Sequence, residues 1–63
     1  MNVLMFAAKV DKILVSRLGY SRSQQSQVQK AVADQMISDH FNAGSTVSET
    51  VEIVQQVLKT LEG

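Results

Sequence analysis

Ser38, Asp39 and His40 supply the side-chain types of a nucleophile, an orienting acid and a general base, and His40 is the only histidine in the chain. Acyl-transfer chemistry needs the base held between the other two groups. Consecutive helical residues point about 100° apart, so a helical 38–40 segment presents these groups in three directions. Near a helix C-terminus, exposed carbonyls favour a protonated imidazole, and His40 reads as a structural residue. Glu49 and Glu52 share a helix face at i, i+3. No second histidine or calcium-loop pattern accompanies them, and they read as solvated carboxylates at a helix start. Gly19, Gly44 and Gly63 lie too far apart for a phosphate-binding loop. With no cysteine, disulfides and thiolate metal sites are ruled out. No enzymatic activity, metal or cofactor is expected.

Binding is the remaining kind of chemistry. Tyr20 beside Arg17 has the composition of an interface hot spot. A packing contact of Tyr20 with Val15, at the end of a helix stopped by Gly19, explains the tyrosine equally well. Phe6 and Phe41 read as core or dimer contacts. Gln24, Gln25, Gln27 and Gln29 form an uncharged polar cluster suited to a rim or linker.

Sixty-three residues make one small domain, spanning 1–63, whose stability rests on a thin margin. Hydrophobic residues are 44% of the chain, enough for a core and too many for a disordered tail. The longest apolar run, Val3 to Ala8, falls far short of the roughly 20 residues of a membrane span. It lacks the preceding basic residues of a secretory signal, and a cytoplasmic location is expected. Six basic and six acidic side chains cancel. Their distribution is polar: Lys9, Lys12, Arg17, Arg22 and Lys30 face only Asp11 in the first half, whereas Lys59 faces Asp34, Asp39, Glu49, Glu52 and Glu62 in the second. Such a split favours packing of one half on the other, within a chain or between antiparallel chains.

The elements that must carry these residues are all α-helical. Asn2 is a suitable N-cap, and Val3, Phe6, Val10, Leu14 and Leu18 then fall on one face at helical spacing. The spacing predicts a helix over about 3–18, ended by Gly19. Ser21-Arg22-Ser23-Gln24 has the form of a capping box and opens a helix over about 22–42. Its first turns hold no apolar residue before Val28, so fraying or a loop is the alternative there. Thr46-Val47-Ser48-Glu49 is a second capping box. Behind it Val47, Val51, Val54, Leu58 and Leu61 step by four and three, a heptad seam predicting a helix over about 47–61.

The expected fold is therefore a small three-helix bundle with more apolar surface than one bundle requires. Leu4, Ala8 and Val15 extend the apolar arc of the first helix. On the second, Val28, Ala31, Val32 and Met36 share one side while Ala33, Ile37 and Phe41 lie opposite. Opposed stripes imply contacts on both sides, most simply completion of the bundle by a two-fold dimer. A late start or kink would instead let both stripes serve one core. Read as 21 residues, this helix would also be the longest and overhang the others. The expected interaction residues are Leu4, Ala8, Val15, Arg17, Tyr20, Ala33, Ile37 and Phe41. Under that reading, Ile37→Asp and Phe41→Asp abolish association and leave the helices intact.

The favoured function is a small, non-enzymatic interaction or regulatory protein acting through apolar helix faces as a homodimer, with another protein as a further possible partner. The alternative is a helix-turn-helix DNA-binding regulator. Its third helix would present Glu49 and Glu52 where a recognition helix needs basic or amide side chains, so DNA would have to meet the basic first half, and nucleic acid is an unfavoured partner. A membrane-surface role for the first helix fits its apolar arc, but Asp11 interrupts the basic face. Leu18-Gly19-Tyr20 after an apolar helix resembles the Met-Gly-Phe/Tyr loop of ubiquitin-associated domains, and Gly44 before an amphipathic helix is similar to the start of their third helix. That resemblance implies a hydrophobic ubiquitin-binding patch built from this loop and the last helix. The step from Gly19 to Gly44 is longer here than those compact domains use.

Overall fold

The computed structural model describes residues 1–62. It contains helices α1 (Val3–Leu18), α2 (Gln27–Asn42) and α3 (Val47–Leu61), with a single 3₁₀ turn over Arg22–Gln24. The three helices pack against one another in a body of 31 × 18 × 17 Å, and the described residues include no strand.

Local chemistry explains each boundary. Asn2 Oδ1 accepts the Met5 N–H at 2.9 Å and starts α1. At its far end Gly19 is left-handed, φ +81°, and its N–H reaches the Val15 carbonyl at 3.0 Å. This single bond is the simpler αL ending. The double-bonded Schellman ending occurs at the other glycine. There Gly44 has φ +82° and donates to the Phe41 carbonyl at 3.1 Å, while Ser45 donates to the His40 carbonyl at 3.0 Å.

The start of α2 departs from the expected residue 22. The Ser21–Gln24 pair does bond, Ser21 N–H to Gln24 Oε1 at 2.7 Å, but it closes only the 3₁₀ turn. Gln25 and Ser26 are extended. Ser26-Gln27-Val28-Gln29 then repeats the same chemistry: Ser26 N–H donates to Gln29 Oε1 at 2.9 Å, and Gln29 N–H donates to Ser26 Oγ at 3.1 Å. Two start signals five residues apart compete, and the second wins because the turns before Val28 have no apolar side chain to bury. With 16 residues, α2 equals α1 in length and does not overhang it. At α3 the Thr46–Glu49 box forms as expected, with bonds of 2.9 and 3.1 Å.

The core is built from Phe6, Val10 and Leu14 of α1, Ala33 and Ile37 of α2, and Val51, Val54 and Leu58 of α3. Phe41 is half-buried, its ring 5.3 Å from that of Phe6, a separation at which tilted aromatic rings attract. Thr50 is fully buried, and its hydroxyl returns to the Thr46 carbonyl at 2.8 Å. Gln29 is the other buried polar residue. Its Nε2 donates to the Tyr20 hydroxyl and to the Leu58 carbonyl, both at 3.3 Å, so one side chain ties the α1–α2 connection, the first turn of α2 and the last turn of α3.

Candidate interaction surface

The outer face of α1 carries Leu4 with 77% of its surface exposed and Val15 with 42%, and Ala8 between them is exposed as well. These positions place all three within about 40° of arc, pointing away from Phe6, Val10 and Leu14. Met5 extends the strip and is also exposed. Asp11 and Lys12 border it.

Electrostatics around this strip follow from the Arg22 bridge. Arg22 Nη2 meets Asp11 Oδ1 at 3.0 Å, and its Nη1 holds Asp34 of α2. Partial burial works against the guanidinium charge, but Asp11 and Asp34 outweigh it and the Arg22 pKa is raised. Asp11 is thereby engaged, whereas Lys9 and Lys12 take part in no ion pair among the described residues. The α1 face is apolar with a basic border. Arg17 pairs with Glu52 of α3 and donates to Gln55 Oε1 at 3.3 Å. The opposite charges of the two chain halves thus meet within the fold through Arg17 and Arg22.

The interaction residues expected on α2 are placed differently. Ala33 and Ile37 are buried in the core and Phe41 packs on its edge, so this stripe faces inward and is not a second exposed face. The core side of α2 runs Gln29–Ala33–Ile37–Phe41, each step one helical turn. Ala33, small and fully buried, permits close approach of a neighbouring helix. On the other side Val28 is 59% exposed and Ala31 is exposed, while Val32 and Met36 are half-buried. Sequence reasoning found both stripes and exchanged their roles, because a glutamine beginning the inner one disguised it.

Arg17 and Tyr20 are held by different partners. Arg17 turns to α3, and the half-buried Tyr20 receives its bond from Gln29. Burial and then the neighbouring Glu62 carboxylate push the Tyr20 phenol above its usual range. Tyr20 and Leu61 do line one groove, the juxtaposition implied by the resemblance to ubiquitin-associated domains. Gln24, Ser26, Gln29 and Glu62 complete it, and its lining is polar and apolar in about equal measure.

The residues of possible catalytic type also separate. Asp39 accepts from Gln35 at 2.9 Å, and His40 Nδ1 lies 3.2 Å from Ser45 Oγ. Glu49 is held below the usual carboxylate range by the Thr46 backbone N–H, then by the Thr46 side chain. It acts as a cap. A second apolar feature, a shallow hollow of about 270 Å³ with Phe6, Phe41, Thr46 and Val47 among its lining residues, lies where α1 begins and α2 turns into α3.

Among the described residues no helix is long and apolar enough to cross a membrane. Compared with family models, with curated proteins and with solved structures, the chain matches none.

Proposed function

We propose that this chain is a small, non-enzymatic helical interaction or regulatory protein that works by covering a partner's surface with the outer face of α1. The observation that carries the reading is Leu4, which is 77% exposed within a strip shared by Ala8 and Val15. Isolated surface hydrophobes are ordinary. A row of them along one helix, in a chain with so few large side chains, offers the i, i+4 anchors by which an amphipathic helix enters an apolar groove. Lys9 and Lys12 set the preference in charge: the partner is apolar with an acidic border. Absence of cysteine suits a reducing compartment such as the cytosol.

The test uses an amphipathic helical peptide of about three heptads, with leucine at a and d and glutamate at e and g. Titrated into isotopically labelled protein, it is expected to shift the backbone amides of Leu4, Ala8 and Val15. The same peptide with lysine at e and g is expected to leave them unmoved. Equal response to both peptides, or response to neither, overturns the proposal.

A further inference from the structure

We infer, building on the α1 reading above, that the partner of the α1 face is a second copy of this chain, which receives it in the groove between α2 and α3, so that copies join head to tail. The groove is located by what lies on its far side. Arg22 ties α1 to the flank of α2 that bears Asp34, and Phe6 of α1 packs, ring tilted against ring, on Phe41 of that same flank. Arg17 fixes α1 to the flank of α3 that bears Glu52 and Gln55. Helical spacing then puts Val28, Val32 and Met36 of α2 on the flank that turns towards α3, and Ile53, Val57 and Leu61 of α3 on the flank that turns towards α2. Val28, Ile53 and Leu61 are exposed and the other three are half-buried. Together they make an apolar strip along the side of the bundle opposite the outer face of α1.

Charge selects between the ways two copies could meet. Asp39 and Glu49 border the α2–α3 groove, whereas Lys30 and Lys59 fall on the flanks turned towards α1. The groove is therefore apolar with an acidic border, the complement of the α1 face with Lys9 and Lys12. An antiparallel two-fold pair of α1 helices has the opposite property. In an antiparallel two-fold pair each flank meets its own copy, so Lys9 and Lys12 would oppose the same lysines of the partner, which is unfavourable. Pairing α1 with the groove matches apolar to apolar and basic to acidic, and it places a fourth helix against two others as in four-helix packing.

The two faces lie on opposite sides of the molecule, so each copy offers one of each and neither use blocks the other. Such a contact is heterologous: it extends into an open chain, or closes where the rotation allows a ring. A standard interface covers about 800 Å² on each partner, roughly a fifth of the 4001 Å² surface of this molecule.

Light scattering and sedimentation velocity over a hundredfold dilution series test this with two surface variants, Leu4→Glu/Val15→Glu and Val28→Lys/Ile53→Lys. All four positions are exposed, and circular dichroism checks that both variants fold. The wild type is expected to exceed twice 6.9 kDa as concentration rises, and to lose mass in high salt, which screens the border charges. Each variant alone is expected to stay monomeric. Mixed in equal amounts, they retain one intact α1 face and one intact groove, and should form a species of two chains and nothing larger. A mixture that stays monomeric, or a wild-type dimer that survives Val28→Lys/Ile53→Lys, overturns the inference. If the wild type is monomeric throughout while the glutamate peptide still shifts α1, the second copy is excluded and the α1 reading stands. If assembly is undiminished by Leu4→Glu/Val15→Glu, both fall.

Discussion

Helices α2 and α3 are nearly the same length, 16 and 15 residues, yet they hold the fold by different means. Helix α3 presents an uninterrupted apolar seam, with Val51, Val54 and Leu58 fully buried and its cap at Thr46. Helix α2 faces the core with a glutamine, an alanine, an isoleucine and the edge of a phenylalanine, and leaves Val28 in water. In α3 the buried face is apolar except for Thr50, whose hydroxyl is satisfied within its own helix at the Thr46 carbonyl. In α2 position and hydrogen bonding decide what is inside, and a polar side chain is drawn into the interior because it bonds two other elements there.

The strongest way to break this comparison is to place the same charge on each stripe of α2. Ile37→Asp is expected to unfold the protein, because an unpaired carboxylate in the core costs several kcal/mol against a margin of about 3–5 kcal/mol for a domain of this size. Val28→Asp should retain full helix content and shift the thermal midpoint by only a few degrees. Circular dichroism melts of the two variants make the comparison. Loss of helix in Val28→Asp, or retention in Ile37→Asp, would exchange the two stripes again.

This stripe also marks where legibility in the sequence ends. The bounds 3–18 and 47–61 match α1 and α3, since Asn2, Gly19 and Thr46 each act within a few residues of the helix end they set, beside a periodic apolar face. The exposed arc of Leu4, Ala8 and Val15 was equally readable, because a helix can turn only one side to a small core. The start of α2 was not. Ser21–Gln24 and Ser26–Gln29 are the same local signal, and choosing between them depends on whether the intervening turn has anything to bury. Nor could periodicity show that Gln29 belongs inside, for its reason to be there is the Leu58 carbonyl, 29 residues away. The same holds for Arg17 and Tyr20: their types suggested a hot spot, and their long-range partners Glu52 and Gln29 made them ties between elements.

A smaller effect isolates the polar tie itself. Gln29→Met keeps the length and most of the volume of the side chain but removes its bonds to Ser26, Tyr20 and Leu58. The expected loss is about 1–3 kcal/mol, the range for leaving a buried polar partner unsatisfied, read as a lower denaturant midpoint. Hydrogen exchange should quicken at Ser26 N–H and in the last turn of α3 ahead of Val51 and Val54. A uniform change along α3 would mean that Gln29 serves only as filling. Gly44→Ala probes the turn between the two helices with a comparable or smaller cost. Beyond its two chain neighbours no residue comes within 4 Å of where its Cβ would sit, so the penalty comes from the left-handed φ of +82°. About 1–2 kcal/mol is expected, and a substitution without effect would show that the Schellman ending can be exchanged for another turn.

The smallest effect sharpens the α3 side. Because the Thr46 bonds hold Glu49 below the ordinary glutamate range, the native state binds a proton there less readily than the unfolded chain does. Stability from this cap is therefore complete above about pH 5, and it is lost as pH falls through the unfolded value and then the lower folded one. Glu49→Gln removes that titration while keeping a side-chain acceptor at the same position of the box. It also gives up the charge that the α3 N-terminus favours. The variant should thus be slightly less stable than the wild type at pH 7 and should lose less on going to pH 3. Thermal midpoints of both proteins across that range read the difference directly. Parallel acid limbs would assign the acid sensitivity elsewhere, with Asp11 and Asp34 at the Arg22 bridge next to be substituted, and would leave α3 held by its apolar seam with no contribution from the charge of its cap.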